Sequence, residues 1–439
     1  MKLIQITAPS SNSGKTITSS IIARALINSG LDLVGFKCGP DFIDSKYLAF
    51  ASKRDNGNLD LHLMGQAGMK AALALNQAAY GLVEGAMGYF DGIGIGYESS
   101  AYDIGRKLDL PAILVYKAQG EMFSIIPKVK GMVDFSQGRI KAIIFSATSK
   151  AMFPYLKKMV EDNLDIKVLG YIEKTEDLNF PSRNLGLMAP EELEEFDQIL
   201  DDQATKSLET IDYKALVDLM VDLDLDLDQG EVEKSPYTIA IAKDQAFSFH
   251  YGENLKLFEK YFTVKYFSPL RDQELPEADL VYIDGGYPEL FLDELSSNKA
   301  MLESLRAYIE EGGHYLGQGA GLIYLTQALE GRDLVGIFPS KTVMNKRLQN
   351  FGYVYLNLEA DLLIGKKGAR IPAHEFHYSS LTEDLEGHIK VEKASKTKSW
   401  SSGYLYKNAL GLYQHINFSG NQEVIDHIIK NLGEKNVYK

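Results

Sequence analysis

The chain has 439 residues, too many for one ordinary hydrophobic core, so two or three domains are expected. Its 45% hydrophobic and 24% charged content is that of a globular protein, and 46 basic against 60 acidic residues, a formal charge of −14, argue against nucleic acid or an anionic membrane as a main partner. A single cysteine, Cys38, excludes an internal disulfide and a cysteine-based metal site. No apolar run reaches membrane-spanning length, and MKLIQITAPSS enters a strand without a signal-peptide core, so a cytoplasmic setting is expected.

In chain order, short apolar runs at Lys2–Thr7, Leu33–Lys37, Gly81–Glu84, Ala112–Tyr116, Ile140–Phe145 and Lys167–Ile172 alternate with amphipathic stretches. Strands separated by helical patterns predict βαβ units and a mostly parallel sheet. Over Glu191–Glu233 the pattern turns acidic and ends in VDLDLDLDQGEVEKSP, which reads as a last helix with a solvated end and a linker. The alternating Asp/Leu run lacks the loop glycine of a calcium site. A second α/β series follows, with strands near Tyr237–Ala242, Phe262–Phe267, Leu280–Asp284 and His314–Gly317. Beyond it, His374–Ser379 and Leu412–Phe418 read as antiparallel strands before a closing helix. The fold class is α/β with two domains: residues 1–200 as a phosphate-loop domain, 201–236 as acidic helix and linker, and 237–439 as a second α/β domain.

Three groups of residues carry chemistry. Ala8-Pro9-Ser10-Ser11-Asn12-Ser13-Gly14-Lys15-Thr16 follows the first strand and opens a helix. In that context backbone N–H groups cradle phosphate, Lys15 neutralises charge and the Thr16 hydroxyl can ligate Mg²⁺, although Pro9 replaces the usual first glycine. Next, FKCGPDFID (Phe36–Asp44), Asn58-Leu59-Asp60 and VEGAMGYFDG (Val83–Gly92) each sit at the end of a strand, where doubly wound sheets bind ligands. Phosphoryl transfer needs such carboxylates for a metal and cations for the moving group. Finally, Gly312–Leu325 (GGHYLGQGAGLIYL) reads as a strand, a sharp turn and a helix, the geometry that exposes a nucleophile at a helix N-terminus.

Taken in order, these motifs resemble the cobyrinate a,c-diamide synthase family, a phosphate-loop domain of the dethiobiotin-synthase type fused to a triad glutamine-amidotransferase-like domain. PSRNLGLMAP, AFSFHYGENL, YFSPLRD, GGYPELF, MNKRLQNFGY, HEFHYS and YQH extend the resemblance over nearly the whole chain. It implies that ATP phosphorylates a peripheral carboxylate of a corrin-type tetrapyrrole and that ammonia then displaces phosphate. It further implies that Ser11, Asn12, Ser13, Gly14, Lys15 and Thr16 bind ATP and that Thr16, Asp60 and Glu84 hold Mg²⁺. Lys37 would contact the transferring phosphoryl group, Asp91 would lie near the reacting carboxylate, and Asp41, Phe42, Ile43 and Asp44 would line the macrocycle pocket. A homodimer is also implied.

The sequence departs from the family pattern at several positions. Ser146 stands where the family has an adenine-reading asparagine, and Asn184 where it has a histidine. The elbow, E-C-G-G in the family, reads Gln318-Gly319-Ala320-Gly321, so the nucleophilic cysteine is a glycine. The glycine run before Tyr287 begins with Asp284, whose carboxylate would oppose a developing oxyanion. His415 keeps the place of the triad histidine and is expected to be an ordinary buried one, while Tyr315, Ser248 and Thr326 lie off the elbow. His374 and His377 alternate to opposite faces of a strand and do not form a metal pair.

The expectation is an ATP-dependent tetrapyrrole amide synthase whose nitrogen is free ammonia, ammonia from a separate source, or another amine. Two rivals stay open: a ligase acting on an unrelated carboxylate, and a non-catalytic nucleotide-gated tetrapyrrole carrier. The intact set Lys15, Thr16, Lys37, Asp60, Glu84 and Asp91 favours catalysis, since a carrier needs fewer of them.

Overall fold

The computed structural model describes residues 1–174, 190, 193, 195–224 and 233–433. It divides into two compact units, Met1–Leu61 with Gly65–Gln229, and His62–Met64 with Gly230–Lys439. Asn184 and most of PSRNLGLMAP lie outside the described residues.

In the first unit, strands β1 (Lys2–Thr7), β2 (Leu33–Cys38), β3 (Gly57–Leu59), β4 (Tyr80–Glu84), β5 (Ala112–Tyr116), β6 (Ile140–Phe145) and β7 (Lys167–Tyr171) alternate with helices. These are α1 (Lys15–Asn28), α2 (Asp44–Ser52), α3 (Leu61–Leu75), α4 (Ala101–Lys107), α5 (Ile125–Phe135) and α6 (Phe153–Asn163). The seven strands are parallel, in the order β3-β2-β4-β1-β5-β6-β7. Every residue of β2 and β5 is buried, because helices cover both faces; hence their unbroken apolar runs. The chain adds strands on one side of β1 up to β4 and on the other from β5, so the ligand crevice falls at the carboxyl end of β1.

Two expectations need correction here. Helix α7 (Phe196–Thr210) runs across the boundary placed at residue 200 and packs on α1 through the buried Arg24, whose guanidinium donates to Asp197 and Asp201. After α8 (Tyr213–Asp218), Val221–Asp222 form a short strand, β8, antiparallel to β1, rather than a solvated helix end. The alternation of apolar and acidic residues has period two, which suits a strand with one face on the sheet. The rest of the acidic run, 225–232, lies outside the described residues.

The second unit opens with β9 (Thr238–Ala242), α9 (Gly252–Tyr261), β10 (Thr263–Phe267), β11 (Leu280–Ile283), α10 (Leu292–Ser297), α11 (Lys299–Glu310), β12 (His314–Gln318) and α12 (Ala320–Tyr324). Three short strands follow, β13 (Ala328–Leu329), β14 (Arg332–Asp333) and β15 (Thr342–Met344). The remaining elements are β16 (Asn350–Leu358), β17 (Arg370–His377), β18 (Ser379–Leu381), β19 (Gly387–Lys393), β20 (Ser399–Tyr406), β21 (Ala409–Leu412) and α13 (Gln422–Gly433). A nine-stranded sheet, β10-β9-β11-β12-β21-β20-β19-β16-β17, is parallel from β10 to β21 and antiparallel beyond.

The stretch His374–Ser379, expected as one strand, is split at Tyr378: β17 stays in the large sheet while β18 joins the four-stranded sheet β14-β13-β15-β18. Leu412–Phe418 is likewise no continuous strand. Only Leu412 belongs to β21, and beyond it a single bridge pairs His415 with His374. Among the described residues no helix is long and apolar enough to cross a membrane.

Candidate active site

At the carboxyl end of β1 the loop from Ala8 turns into α1 through Gly14, whose φ of 88° is left-handed and therefore cheap for glycine. Ser11 and Asn12 are exposed at the rim of the loop, while Ser13 and Lys15 are buried beneath it. The Lys15 ammonium donates to the carbonyls of Ser10 (3.2 Å) and Met87, which ties the loop to the turn after β4. Burial and, next, the charge of Lys37 push Lys15 down to about 8, against the pull of Glu84, Asp44 and Asp91.

Glu84, fully buried at the end of β4, collects three donors. Thr16 Oγ1 lies 2.8 Å from Oε1, Ser19 Oγ 2.8 Å from Oε2, and Lys37 Nζ 2.7 Å from Oε1. β2 lies beside β4 with Lys37 opposite Glu84, so the ion pair follows from strand register. Asp44 and Asp41 also face Lys37, at 3.4 and 3.7 Å. Burial alone would lower the Lys37 pKa, but Glu84, Asp44 and Asp41 together raise it, so Lys37 stays an ammonium. Asp41 Oδ1 accepts the N–H groups of Ile43 and Asp44, both at 3.0 Å, and opens α2; burial and then Asp44 push its carboxyl up to about 6. Phe42 and Ile43 are half-buried on the same turn.

Asp60, buried, follows directly on β3, next to β2. Asp91 Oδ2 accepts the Gly88 N–H at 2.9 Å and holds the turn whose Met87 carbonyl meets Lys15. The Ser146 hydroxyl donates to the Ser13 carbonyl at 2.7 Å and packs under Gly14, bracing the loop. Ser19 was missed by sequence reasoning. It lies one turn beyond Lys15 and Thr16 on α1, a spacing that could have marked it. Among the described residues no cluster of three or more His, Cys, Asp or Glu side chains is arranged to hold a metal; the oxygens beside Thr16 are one hydroxyl and one carboxylate.

In the second unit the elbow is preserved as backbone. Gly319, between β12 and α12, has φ 53° and ψ −107°, a strained conformation a nucleophile elbow requires and a side chain tolerates poorly. Around it runs a buried polar chain. Gln318 Oε1 accepts the Ile416 N–H (2.6 Å), and its Nε2 donates to the Tyr282 hydroxyl (3.2 Å). Tyr282 donates to Asp284 Oδ2 (2.7 Å), and Asp284 Oδ1 accepts from the Gly285 N–H and from His415 Nδ1, each at 2.8 Å. Since Nδ1 faces a carboxylate, it carries the proton. His415 is thus buried and hydrogen-bonded, and Tyr282 is an addition that the sequence did not flag. Tyr315 is buried with its hydroxyl on the Gly321 carbonyl, and Thr326 bonds to Ile323; neither reaches the elbow.

His374 and His377 have separate surroundings. His377 sits between the Ser379 carbonyl (2.7 Å) and Glu375 (2.8 Å) and stacks on Tyr413. His374 is buried against Phe351 and Tyr353.

Two family models match. The CobQ/CobB/MinD/ParA nucleotide binding domain covers residues 4–187, and the CobB/CobQ-like glutamine amidotransferase domain covers residues 238–423. The cobyrinate a,c-diamide synthase of Clostridium tetani is 37% identical, covering 98% of this chain and 100% of its own length. Those of Clostridium acetobutylicum and Fusobacterium nucleatum are 36% and 34% identical, each over 98% of this chain and 100% of its own length. With relatives matching from end to end at this identity, the chain belongs to the cobyrinate a,c-diamide synthase family.

Proposed function

We propose that the protein is an ATP-dependent carbon–nitrogen ligase that amidates peripheral carboxylates of cobyrinate or a closely related tetrapyrrole, with nitrogen supplied as ammonia rather than cut from glutamine by its own second unit. The observation that carries this reading is the convergence of Thr16, Ser19 and Lys37 on Glu84, beside Lys15, at the carboxyl end of the sheet in a chain of this family. A carboxylate is a poor electrophile. Transfer of the γ-phosphoryl group of ATP to its oxygen gives an acyl phosphate and ADP; ammonia then attacks the carbonyl carbon, the C–O bond to phosphate breaks, and one proton leaves, giving amide and phosphate.

In this scheme the loop Ser11–Lys15 binds the phosphates, and Lys37 stabilises the phosphoryl group in flight, a role suited to an ammonium held charged by three carboxylates. The hydroxyl of Thr16 and the carboxylate of Glu84 are hard oxygen ligands that fit Mg²⁺, with Asp60, buried just after β3, as the further acidic ligand proposed. When bound, Mg²⁺ would supply positive charge to the phosphate oxygens. Asp41, Phe42, Ile43 and Asp44 would face the macrocycle, and Asp91 would fix the turn next to its reacting carboxylate. Support for an external nitrogen source comes from Gly319, which offers no nucleophile. A cytoplasmic setting suits the reduced Cys38 and the need for ATP.

The test is ATP turnover with cobyrinate, with ammonium chloride in one reaction and glutamine in another, followed by mass detection of the product. Amide with ammonium only is expected. Amide from glutamine would refute the external nitrogen source, and no amide from either would refute the substrate.

A further inference from the structure

The elbow has not merely lost a thiol; its volume is filled. A Cβ built on Gly319 would lie 2.7 Å from His415 Cε1 and 2.8 Å from Nε2, and one on Gly285 would lie 2.7 Å from the same Cε1. Real Cβ atoms do not approach this closely, so the imidazole stands where the first atoms of a nucleophilic side chain would be. The ring is not free to swing away. Its Nδ1 is tethered at 2.8 Å to Asp284 Oδ1, and Asp284 is itself held by Tyr282 and the Gly285 N–H, all in surroundings closed to water. That same Gly285 N–H, on a residue whose Cα lies 3.5 Å from a Cβ built on Gly319, is already used by the carboxylate. An oxyanion forming here would meet a negative charge and find this donor taken.

We infer that Asp284 and Gly319 are a coupled pair: Asp284 pins His415 into the nucleophile's space, which excludes glutamine and makes Asp284, as much as Gly319, the residue that determines the nitrogen source. Gly319 can be the smaller residue because the ring is there, and the ring is there because the carboxylate anchors it. This rests on the reading that the second unit no longer hydrolyses glutamine. A consequence is that returning the thiol by Gly319→Cys does not by itself reopen the site.

The test uses the full chain and the variants Gly319→Cys, Gly319→Cys/Asp284→Gly and Gly319→Cys/His415→Ala, with folding checked by circular dichroism. Iodoacetamide is the probe, and alkylation is read peptide by peptide. Cys38 is an internal standard, being buried and pushed up to about 12 by that burial. In the single variant the introduced elbow thiol is expected to react as slowly as Cys38 does. In either double variant it should react about tenfold faster or more, since access then no longer waits on local opening. Equal alkylation rates of the elbow thiol in the single and double variants overturn the coupling. If Asp284→Gly prevents folding, Asp284→Ala takes its place beside Gly319→Cys, because it too removes the anchoring carboxylate; the His415→Ala pair tests that the ring is what fills the space. Wild-type glutamine hydrolysis, measured in parallel, would instead overturn the underlying reading of a lost glutaminase, so the two failures are separable.

Discussion

Replacing Lys37 by methionine removes the cation at the centre of a group of three carboxylates. Nζ is 2.7 Å from Glu84, with side-chain exposures of 2% for Lys37 and 0% for Glu84. Breaking such a buried pair by deleting one partner costs about 3–5 kcal/mol, because the remaining charge is stranded. Glu84 keeps the hydroxyls of Thr16 and Ser19, which places the expected cost at the lower end, about 3 kcal/mol. For a domain of this size that lowers the melting temperature by about 6–12 °C. Adding Glu84→Gln removes the stranded charge, so the double variant should regain at least half of the loss even though it has lost a second native group. Differential scanning calorimetry of the two single variants, the double variant and the wild type gives the coupling. A Lys37→Met variant that melts within about 2 °C of wild type, or a double variant that loses the sum of the singles, would refute the account of Lys37 as a cation buried by compensation. Amide synthesis should be lost in all three variants, so the calorimetry is the discriminating readout.

The remaining expectations concern protons and the phosphate loop. Lys15 is held near 8 in the free protein, and bound phosphate favours its ammonium, so nucleotide binding at about pH 8.5 should take up protons and weaken as the pH rises further. Calorimetric titration in buffers of different ionisation enthalpy measures that uptake, and buffer-independent heats would contradict it. His374 is pushed from the ordinary histidine range down to about 3 by burial first, then by His415, His62 and Lys393. The unfolded chain therefore binds the extra proton below the ordinary histidine range, and this residue should cost about 1.5 kcal/mol of stability as the pH falls from about 6.5 to about 5. His374→Leu should flatten the slope of stability against pH by that amount, and an unchanged slope would count against it. Ser146→Ala removes the brace on the Ser13 carbonyl, so ADP should bind about 2–12-fold more weakly, as the loss of one neutral hydrogen bond predicts. An unchanged dissociation constant would return Ser146 to a bystander.

Much of this protein is local and therefore legible. The buried runs of β2 and β5, the turn at Gly14 and the strand–elbow–helix at Gly319 are set by apolar periodicity and by backbone conformations that particular residues permit. Where the local signal was ambiguous, reading failed. Val221–Asp222 has a period that fits a strand as well as a frayed helix, and it becomes a strand because β5 pairs β1 only from Gln5 onward, which leaves the edge at Lys2 and Leu3 open. Tyr378 breaks an apparently continuous strand because its two halves pair with different sheets.

By itself the sequence determined the fold class, the phosphate loop, the acidic residues at the strand ends and the glycine at the elbow, because each depends on neighbours in the chain. Only the tertiary structure decided what these residues touch: Ser19 on Glu84 across 65 positions, Ser146 on Ser13 across 133, and His415 on Asp284 across 131. Those pairings follow from which strand ends the sheet brings side by side and which volumes a glycine leaves for another side chain to fill, and neither is written in the local sequence.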